Sequence, residues 1–166
     1  LRQAFYYDCG PGVLQSVLAY YGMNEWIDVL IKLLGTTKSG TSIYKIKKVA
    51  EKYGLRAELK EMTMGEVKKY VDKRIPVILG LQAWPKKKVF DWKNNWANSH
   101  FAIAIGYDKN KIYFEDPEVL NRTYLTYDEL EERWHDINDS KKCINYGLAI
   151  YGKKPAYHPD KIIHMD

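Results

Sequence analysis

The spacing of apolar residues changes part-way along the chain, and this change constrains the fold more than any other feature. In the segment 13–21, apolar side chains recur at every third or fourth position, which is the period of one face of a helix. The later segments PVILGLQAW (76–84) and HFAIAIGY (100–107) are continuous apolar runs of strand length. Helices followed by strands predict an α+β domain, in which an N-terminal helical lobe packs on a mostly antiparallel sheet.

Turn and capping residues divide this pattern into elements. Proline suits the first turn of a helix, glycine ends one, and a threonine three residues before a glutamate is typical of a capping box. The predicted helices are Pro11 to Gly22, Trp26 to Gly35, Ser42 to Gly54, Thr63 to Val71 and Thr126 to Trp134. The predicted strands are 55–59, 76–84, 100–107, 111–116, 123–127 and 144–152. The turn Asp108-Lys109-Asn110 joins two of these strands into a hairpin.

Length and composition predict one domain. A chain of 166 residues, 46% of them hydrophobic, is long enough for one core. We expect a single domain over 1–152 and a loosely attached tail over 153–166. No apolar run approaches the roughly 20 residues that cross a bilayer. The chain starts with Leu1 rather than Met, so the sequence leaves its upstream end, its compartment (cytoplasmic or exported) and its oligomeric state open.

Charge and cysteine content exclude several classes of function. The net charge is +5, and the densest basic runs, KIKK (45–48) and PKKK (85–88), are typical of solvated faces. No nucleic-acid-binding motif accompanies them, so nucleic acid is not a predicted partner. The two cysteines, Cys9 and Cys143, form no metal-ligand spacing with His100, so neither a metal nor a cofactor is predicted. A disulfide between the two cysteines would block Cys9 as a nucleophile. His135 is expected to be a solvated residue at a helix end.

The segment Asp8-Cys9-Gly10-Pro11 places a thiol at the start of the first helix. Backbone N–H groups and the helix dipole stabilise an anion there, which favours the thiolate form of Cys9. Gly10 would allow a substrate carbonyl to approach the backbone closely. A lone cysteine is more often a small buried apolar residue. The functional interpretation of Cys9 therefore depends on partners elsewhere in the chain.

Three residues are candidate partners. His100 opens one strand, and Asp116 ends the neighbouring strand of the same hairpin. A turn at 108–110 that pairs Tyr107 with Lys111 brings the two ends together, so that the carboxylate can orient the imidazole. Gln3 precedes Cys9 by six positions. Its amide, with the backbone N–H of Cys9, can form an oxyanion hole.

These residues resemble a known family. Gln3, the segment DCGPGVLQSVLAYYG (8–22) and the segment SHFAIAIGYDKNKIYFEDP (99–117) are similar to those of bacteriocin-processing, double-glycine leader peptidases, which belong to the papain-like cysteine peptidase superfamily. The resemblance implies that Cys9 is the nucleophile, His100 the general base and acid, Asp116 the orienting residue and Gln3 the oxyanion-hole donor. Family members usually carry a glycine or similarly small residue before the histidine, and here that position is Ser99.

The substrate remains open at this point. No GxxxxGK[ST] loop or transmembrane helix is present in the sequence, so the chain resembles a stand-alone member of the family. The loop PKKKVFDWKNNWAN (85–98), with Trp84, Trp92 and Trp96, is a candidate substrate pocket. The alternative is a basic surface loop held by aromatic packing. Gly10 and Ser99 complete the candidate substrate-binding residues.

Three hypotheses follow for the function. The first is a cysteine peptidase acting on a peptide or protein substrate, including the bond after Gly-Gly in leader peptides. The second is another amidase or acyltransferase with the same catalytic residues, because the pocket and not the triad selects the substrate. The third is a catalytically silent module that binds peptides.

Overall fold

The computed structural model describes residues 3, 5–158 and 160–166, and Leu1, Arg2, Ala4 and Pro159 lie outside the described residues. Within them, five helices and eight strands follow one another along the chain. The helices are α1 (Cys9–Tyr20), α2 (Ile27–Leu34), α3 (Ile43–Lys52), α4 (Met64–Asp72) and α5 (Tyr127–Arg133). The strands are β1 (Arg56–Glu61), β2 (Val77–Gln82), β3 (Ser99–Tyr107), β4 (Lys111–Glu115), β5 (Thr123–Thr126), β6 (His135–Asn138), β7 (Lys141–Ile144) and β8 (Tyr146–Tyr151).

Six strands form one antiparallel sheet in the order β1-β8-β2-β3-β4-β5. Successive side chains of a strand point to opposite faces, and β2 divides accordingly. Ile78 joins the apolar core that includes buried residues of α1, α2 and α3. Val77, Leu79 and Leu81 join a second core with Val67 of α4 and Leu130 of α5. The prediction of an α+β fold with helices packed on an antiparallel sheet is confirmed.

Local capping chemistry sets several helix boundaries. The side chain of Thr63 accepts the N–H of Glu66, whose carboxylate accepts the N–H of Thr63, and Thr126 and Glu129 repeat this capping box at the start of α5. Gly35 ends α2 in the left-handed conformation, with φ of 62°, where glycine carries no steric penalty. Both capping boxes and this stop were predicted.

The pairing of β3 with β4 corrects one prediction. Tyr107 lies opposite Ile112 instead of Lys111, and a bulge lies between Ala104 and Gly106. Beyond the bulge, Ala104 lies opposite Phe114, which is the register that the predicted turn implies. The prediction was therefore wrong at the turn and right towards the ends of the strands where His100 and Asp116 lie, because the extra bulge residue restores the register.

The hairpin of β6 and β7 was not predicted. It forms a separate two-stranded sheet, and its turn residues Asp139 and Ser140 have φ of 50° and 62°, which fits a two-residue hairpin loop. The prediction for His135 was wrong. This residue is buried in β6, its ring lies 4.4 Å from the Trp96 ring, and its Nε2 pairs with the Asn95 carbonyl oxygen at 2.6 Å.

The C-terminal segment contacts the end of α1. The N–H of Ala156 donates to the carbonyl oxygen of Tyr20 at 2.9 Å, and most side chains after Lys153 are exposed. The division into a domain over 1–152 and a tail over 153–166 stays a prediction. None of the helices in the described part of the chain combines the length and apolar character needed to cross a membrane.

The capping box of α5 generates a stability prediction. Replacing Thr126 with alanine removes the acceptor for the Glu129 N–H, and we expect the free energy of unfolding to fall by about 1 kcal/mol. Thr126→Ser keeps the hydroxyl and serves as the matched control. Chemical denaturation of both variants measures the difference. Equal stability of the alanine and serine variants would contradict a role for the hydroxyl.

Candidate active site

His100 and Asp116 meet at the ends of two neighbouring strands. The Nε2 atom of His100 lies 2.7 Å from Oδ1 of Asp116, and each residue is only 5% exposed. His100 is the second residue of β3, and Asp116 follows the last residue of β4. The antiparallel pairing of these strands places the two side chains together, in the arrangement that orients an imidazole.

Asp116 accepts hydrogen bonds from four donors. Besides His100, its Oδ1 accepts the N–H of Glu118 at 2.9 Å. Its Oδ2 accepts the Nε1–H of Trp84 at 3.0 Å and the Oγ1–H of Thr123 at 3.3 Å. A carboxylate with this many donors is held in one orientation and in its charged form.

Trp84 therefore contacts the candidate site through its indole N–H. Its backbone has φ of 53°, a conformation that is uncommon for a bulky residue, and its ring is 47% exposed. Trp84 was predicted as a substrate-binding residue. The indole N–H is used by Asp116, which leaves the exposed ring as the part that a substrate can contact.

Cys9 lies at the start of α1, 6% exposed, and its thiol forms a hydrogen bond with the His100 side chain. Both cysteines are free, so no disulfide joins them. Cys143 lies in β7, where its sulfur is 3.8 Å from the Tyr44 hydroxyl. The structure thus brings together Cys9, His100 and Asp116 and keeps the second cysteine apart.

The environment of His100 favours the imidazolium. Burial alone would lower the pKa of His100, but hydrogen bonds and charge interactions with Asp116 and Cys9 outweigh it and raise this pKa from 6.5 to about 9. Burial acts to raise the pKa of Asp116, whereas the hydrogen bond and charge of His100 prevail and lower it. The pair is therefore charged at neutral pH.

Gln3 lies beside this cluster. Its backbone N–H donates to the carbonyl oxygen of Pro117, the residue after Asp116, at 2.6 Å. Its side-chain Nε2 donates to the Phe5 carbonyl oxygen at 2.9 Å. A primary amide carries two N–H donors, so this hydrogen bond leaves one of them for an oxyanion. The role of Gln3 stays a prediction.

Packing against Thr41 requires a glycine at position 10, which the sequence did not indicate. A Cβ atom at this position would lie 2.5 Å from Cβ and 2.6 Å from Oγ1 of Thr41, closer than side-chain carbons approach one another. The absence of a side chain lets α1 pack against the segment before α3. This packing explains the glycine without the substrate contact that we predicted for it.

The loop 85–98 is held largely by ring contacts. The guanidinium of Arg133 lies 4.0 Å from the Trp92 ring centre, and Lys142 Nζ lies 4.9 Å from that of Trp96, whose ring also packs at a tilt against His135. For Trp92 and Trp96 the structure favours a basic loop held by aromatic packing over a substrate pocket. Trp96 was predicted to bind substrate, and its ring packs against His135 of β6 instead.

The segment that enters α1 carries exposed aromatic side chains. The side chains of Phe5 and Tyr6 are mostly exposed, and Lys86 Nζ lies 5.3 Å from the Tyr6 ring centre. The ring of Trp84, whose indole N–H bonds to Asp116, is a further exposed aromatic group beside the candidate site. Exposed apolar clusters of this kind are typical of binding surfaces.

A comparison with protein families identifies the chain. The sequence profile of the Peptidase C39 family matches residues 1–138. The chain belongs to this family. The predictions of a double-glycine-leader-peptidase relative and of a cysteine peptidase are thereby confirmed.

Curated relatives of this C39 peptidase are longer proteins. It is 26% identical over 157 residues to the lactococcin-A transport/processing ATP-binding protein LcnC of Lactococcus lactis, covering 93% of this chain and 19% of LcnC. It is 29% identical over 157 residues to the transport/processing ATP-binding protein ComA of Streptococcus pneumoniae, covering 93% of this chain and 18% of ComA. The chain thus spans about a fifth of the length of these relatives.

Solved structures share the fold. The peptidase domain of Streptococcus ComA superposes with a TM-score of 0.68 at 23% identity, over 92% of this chain and 97% of that domain. A double glycine motif protease from an AMS/PCAT transporter, solved in complex with the leader peptide, gives a TM-score of 0.64 at 20% identity. This match covers 91% of this chain and 89% of that protease. A putative C39-like peptidase from Bacillus anthracis gives a TM-score of 0.67 at 18% identity, over 90% of each chain.

The raised pKa of His100 generates the second prediction. In Asp116→Asn the carboxylate that supports the imidazolium is lost, so we expect the pKa of His100 to fall from about 9 towards 6.5. NMR titration of the imidazole measures this shift, and Asp160→Asn, which removes an exposed carboxylate from the C-terminal segment, is the control.

The same shift has a consequence for stability. Because the folded pKa of His100 is above the unfolded one, protonation stabilises the fold fully below pH 6.5, and this contribution is lost as the pH rises from 6.5 to about 9. In Asp116→Asn this part of the pH dependence should shrink. An unchanged titration of His100 in that variant would contradict the pairing.

Proposed function

We propose that this chain is a cysteine peptidase that cleaves leader peptides after a Gly-Gly pair, with Cys9 as nucleophile, His100 as general base and acid, Asp116 as orienting residue and Gln3 as oxyanion-hole donor. One observation carries the proposal. The His100 ring lies between the Cys9 thiol at the start of α1 and the carboxylate of Asp116, 2.7 Å from its Nε2.

The chemistry follows from this geometry. The His100 imidazolium carries the proton taken from the Cys9 thiol, and the thiolate of this ion pair attacks the carbonyl carbon of the scissile bond. The imidazolium then gives its proton to the leaving nitrogen, which releases the downstream peptide and leaves an acyl-enzyme. Water, deprotonated by His100, hydrolyses the thioester and restores Cys9. Asp116 keeps its hydrogen bond to Nε2 throughout, so the other ring nitrogen faces the reaction.

The negative charge on the tetrahedral intermediate needs hydrogen-bond donors to stabilise it. The N–H of Cys9 is in the first turn of α1, where helix N–H groups have no acceptor within the helix. The Gln3 amide lies on the segment bonded to Pro117. These two donors and the positive end of the α1 dipole would stabilise the oxyanion.

The Gly-Gly specificity is supported by relatives. LcnC and ComA carry names that describe transport and processing, and one solved neighbour is a double glycine motif protease bound to a leader peptide. Cys9 is only 6% exposed, and two residues without side chains next to the scissile bond would let a peptide backbone approach such a buried thiol closely. The exposed aromatic side chains of Phe5, Tyr6 and Trp84 offer apolar contacts to the rest of the peptide.

Cleavage of a matched pair of peptides tests the proposal. The first is a synthetic leader peptide with Gly-Gly before the cleavage point, and the second replaces both glycines with alanine. We expect mass spectrometry to find a single cut after Gly-Gly in the first peptide and at least tenfold slower cleavage of the second. Cleavage of both peptides at similar rates would overturn the leader specificity while retaining the peptidase.

Variants of the two cysteines test the catalytic assignment. Cys9→Ala should abolish cleavage, and His100→Ala should reduce kcat/KM by about 10³-fold or more. Cys143→Ala removes the other buried thiol, and full activity is expected for it. Residual cleavage by Cys9→Ala equal to that of the wild type would contradict the role of Cys9 as nucleophile.

A further inference from the structure

Besides Asp116, the buried carboxylate of Asp136 on β6 lies next to the start of β3. It is 3% exposed, and its side chain forms a hydrogen bond with Ser99, the residue before His100. Consecutive residues of a strand point to opposite faces of the sheet. The first two residues of β3 therefore meet carboxylates on opposite faces of the sheet. Asp136 bonds to Ser99, and Asp116 bonds to His100.

Gly80 on β2 makes room for this carboxylate. A Cβ atom at Gly80 would lie 3.0 Å from Oδ2 and 3.1 Å from Cβ of Asp136, so any larger residue would displace the side chain. The β2–β3 register places Gly80 opposite Phe101, and the next pair joins Leu81 and His100. The sheet is thus shaped to hold an acidic side chain within a residue or two of the candidate catalytic histidine.

Asp136 has fewer hydrogen bonds than Asp116, and one of them is longer than any bond of Asp116. Oδ1 accepts the N–H of Ile137 at 2.8 Å, and Oδ2 lies 3.5 Å from Nδ2 of Asn138. Burial outweighs these bonds and the one from Ser99, and raises the pKa of Asp136 to about 6. This group therefore changes its charge in weakly acidic solution.

His100 is the charged neighbour that acts on Asp136. The groups around the carboxylate include Ser99 and His100 on β3, Gly80 on β2, Asn138 on β6, and Cys143, which pairs with Asp136 across the β6–β7 hairpin. Among them, His100 interacts electrostatically with Asp136 and favours its charged form. Such an interaction is mutual, so ionised Asp136 also favours the imidazolium.

We propose that Asp136 is a positioning residue for His100: its ionised carboxylate holds Ser99 at the start of β3 and stabilises the His100 imidazolium, and proton uptake by Asp136 weakens the Cys9–His100 ion pair. This inference deepens the proposed function and rests on it for the catalytic meaning of that pair. It also explains why serine stands at position 99, because a glycine there would lack the hydroxyl that bonds to Asp136.

Asp136→Asn tests the proposal with almost no change of shape. We expect the pKa of His100, measured by NMR titration, to fall by about half a unit to one unit. The alkylation rate of Cys9 by iodoacetamide at pH 7 should also fall, by up to about three- to tenfold, because a less stable imidazolium supports a smaller population of the Cys9 thiolate. Asp139→Asn is the matched control, since Asp139 is exposed on the same hairpin and bonds to the Ser42 hydroxyl.

A second variant, Ser99→Ala, keeps the charge and removes the hydrogen bond. The Ser99 bond lowers the pKa of Asp136. Its loss should therefore move the acidic part of the plot of Cys9 alkylation rate against pH to higher pH. In Asp136→Asn the ionisation of residue 136 should be missing from this plot. Ser99 is exposed, so Ser99→Ala retains a testable protein even if Asp136→Asn does not fold.

The outcomes separate this inference from the proposed function. Neither NMR titration nor alkylation requires a peptide substrate. A His100 titration that is identical in the wild type, Asp136→Asn and Asp139→Asn, together with an unmoved acid limb in Ser99→Ala, would overturn the role of Asp136 even if leader peptides are cleaved. Failure to cleave any peptide, with the expected shifts present, would overturn only the proposed function.

Discussion

The hydrogen bond between His100 and Asp116 is the interaction on which the site depends. Both groups are buried, and a buried charged pair is tolerated only when its hydrogen bonds are satisfied. The surrounding structure supplies those bonds. Trp84 adopts an uncommon backbone conformation and donates its indole N–H, Thr123 at the start of β5 donates its hydroxyl, and the backbone turns after Pro117 to bring in one more N–H.

This requirement links parts of the chain that are distant in sequence. The carbonyl oxygen of Pro117 accepts the N–H of Gln3, and a Cβ atom at Gly12 would lie 3.1 Å from the Pro117 side chain. The segment that orients His100 therefore also positions the segment that enters α1. The thiol of Cys9 and the Gln3 amide are fixed relative to the imidazole by the same short turn.

The sequence predicted the parts of the molecule that rest on local chemistry. The capping boxes at Thr63 and Thr126, and the meeting of His100 with Asp116, follow from spacing alone. The β3–β4 register failed at the turn because a bulge cannot be recognised in a uniform apolar run such as AIAIG. The β6–β7 hairpin was missed because four-residue strands with mostly polar residues lack an alternating pattern.

The residues that the sequence did not reveal are those whose role comes from tertiary contacts. Trp84 was expected to touch substrate, and only the structure places its N–H on Asp116. Gly10 was attributed to the substrate, whereas Thr41 fills the space beside it. No pattern in the residues HDIN (135–138) connects Asp136 with His100, because their proximity depends on the unpredicted hairpin and on the glycine at position 80.

The two carboxylates near His100 illustrate how environment separates identical groups. Asp116 has four donors, and the net effect lowers its pKa, whereas Asp136 has weaker bonds and burial raises its pKa to about 6. The first therefore stays charged throughout the range in which proteins work, and the second changes charge at the acidic edge of that range. A histidine that is bonded to a permanently charged carboxylate and lies in the field of a titrating one combines a fixed orientation with a charge environment that responds to pH.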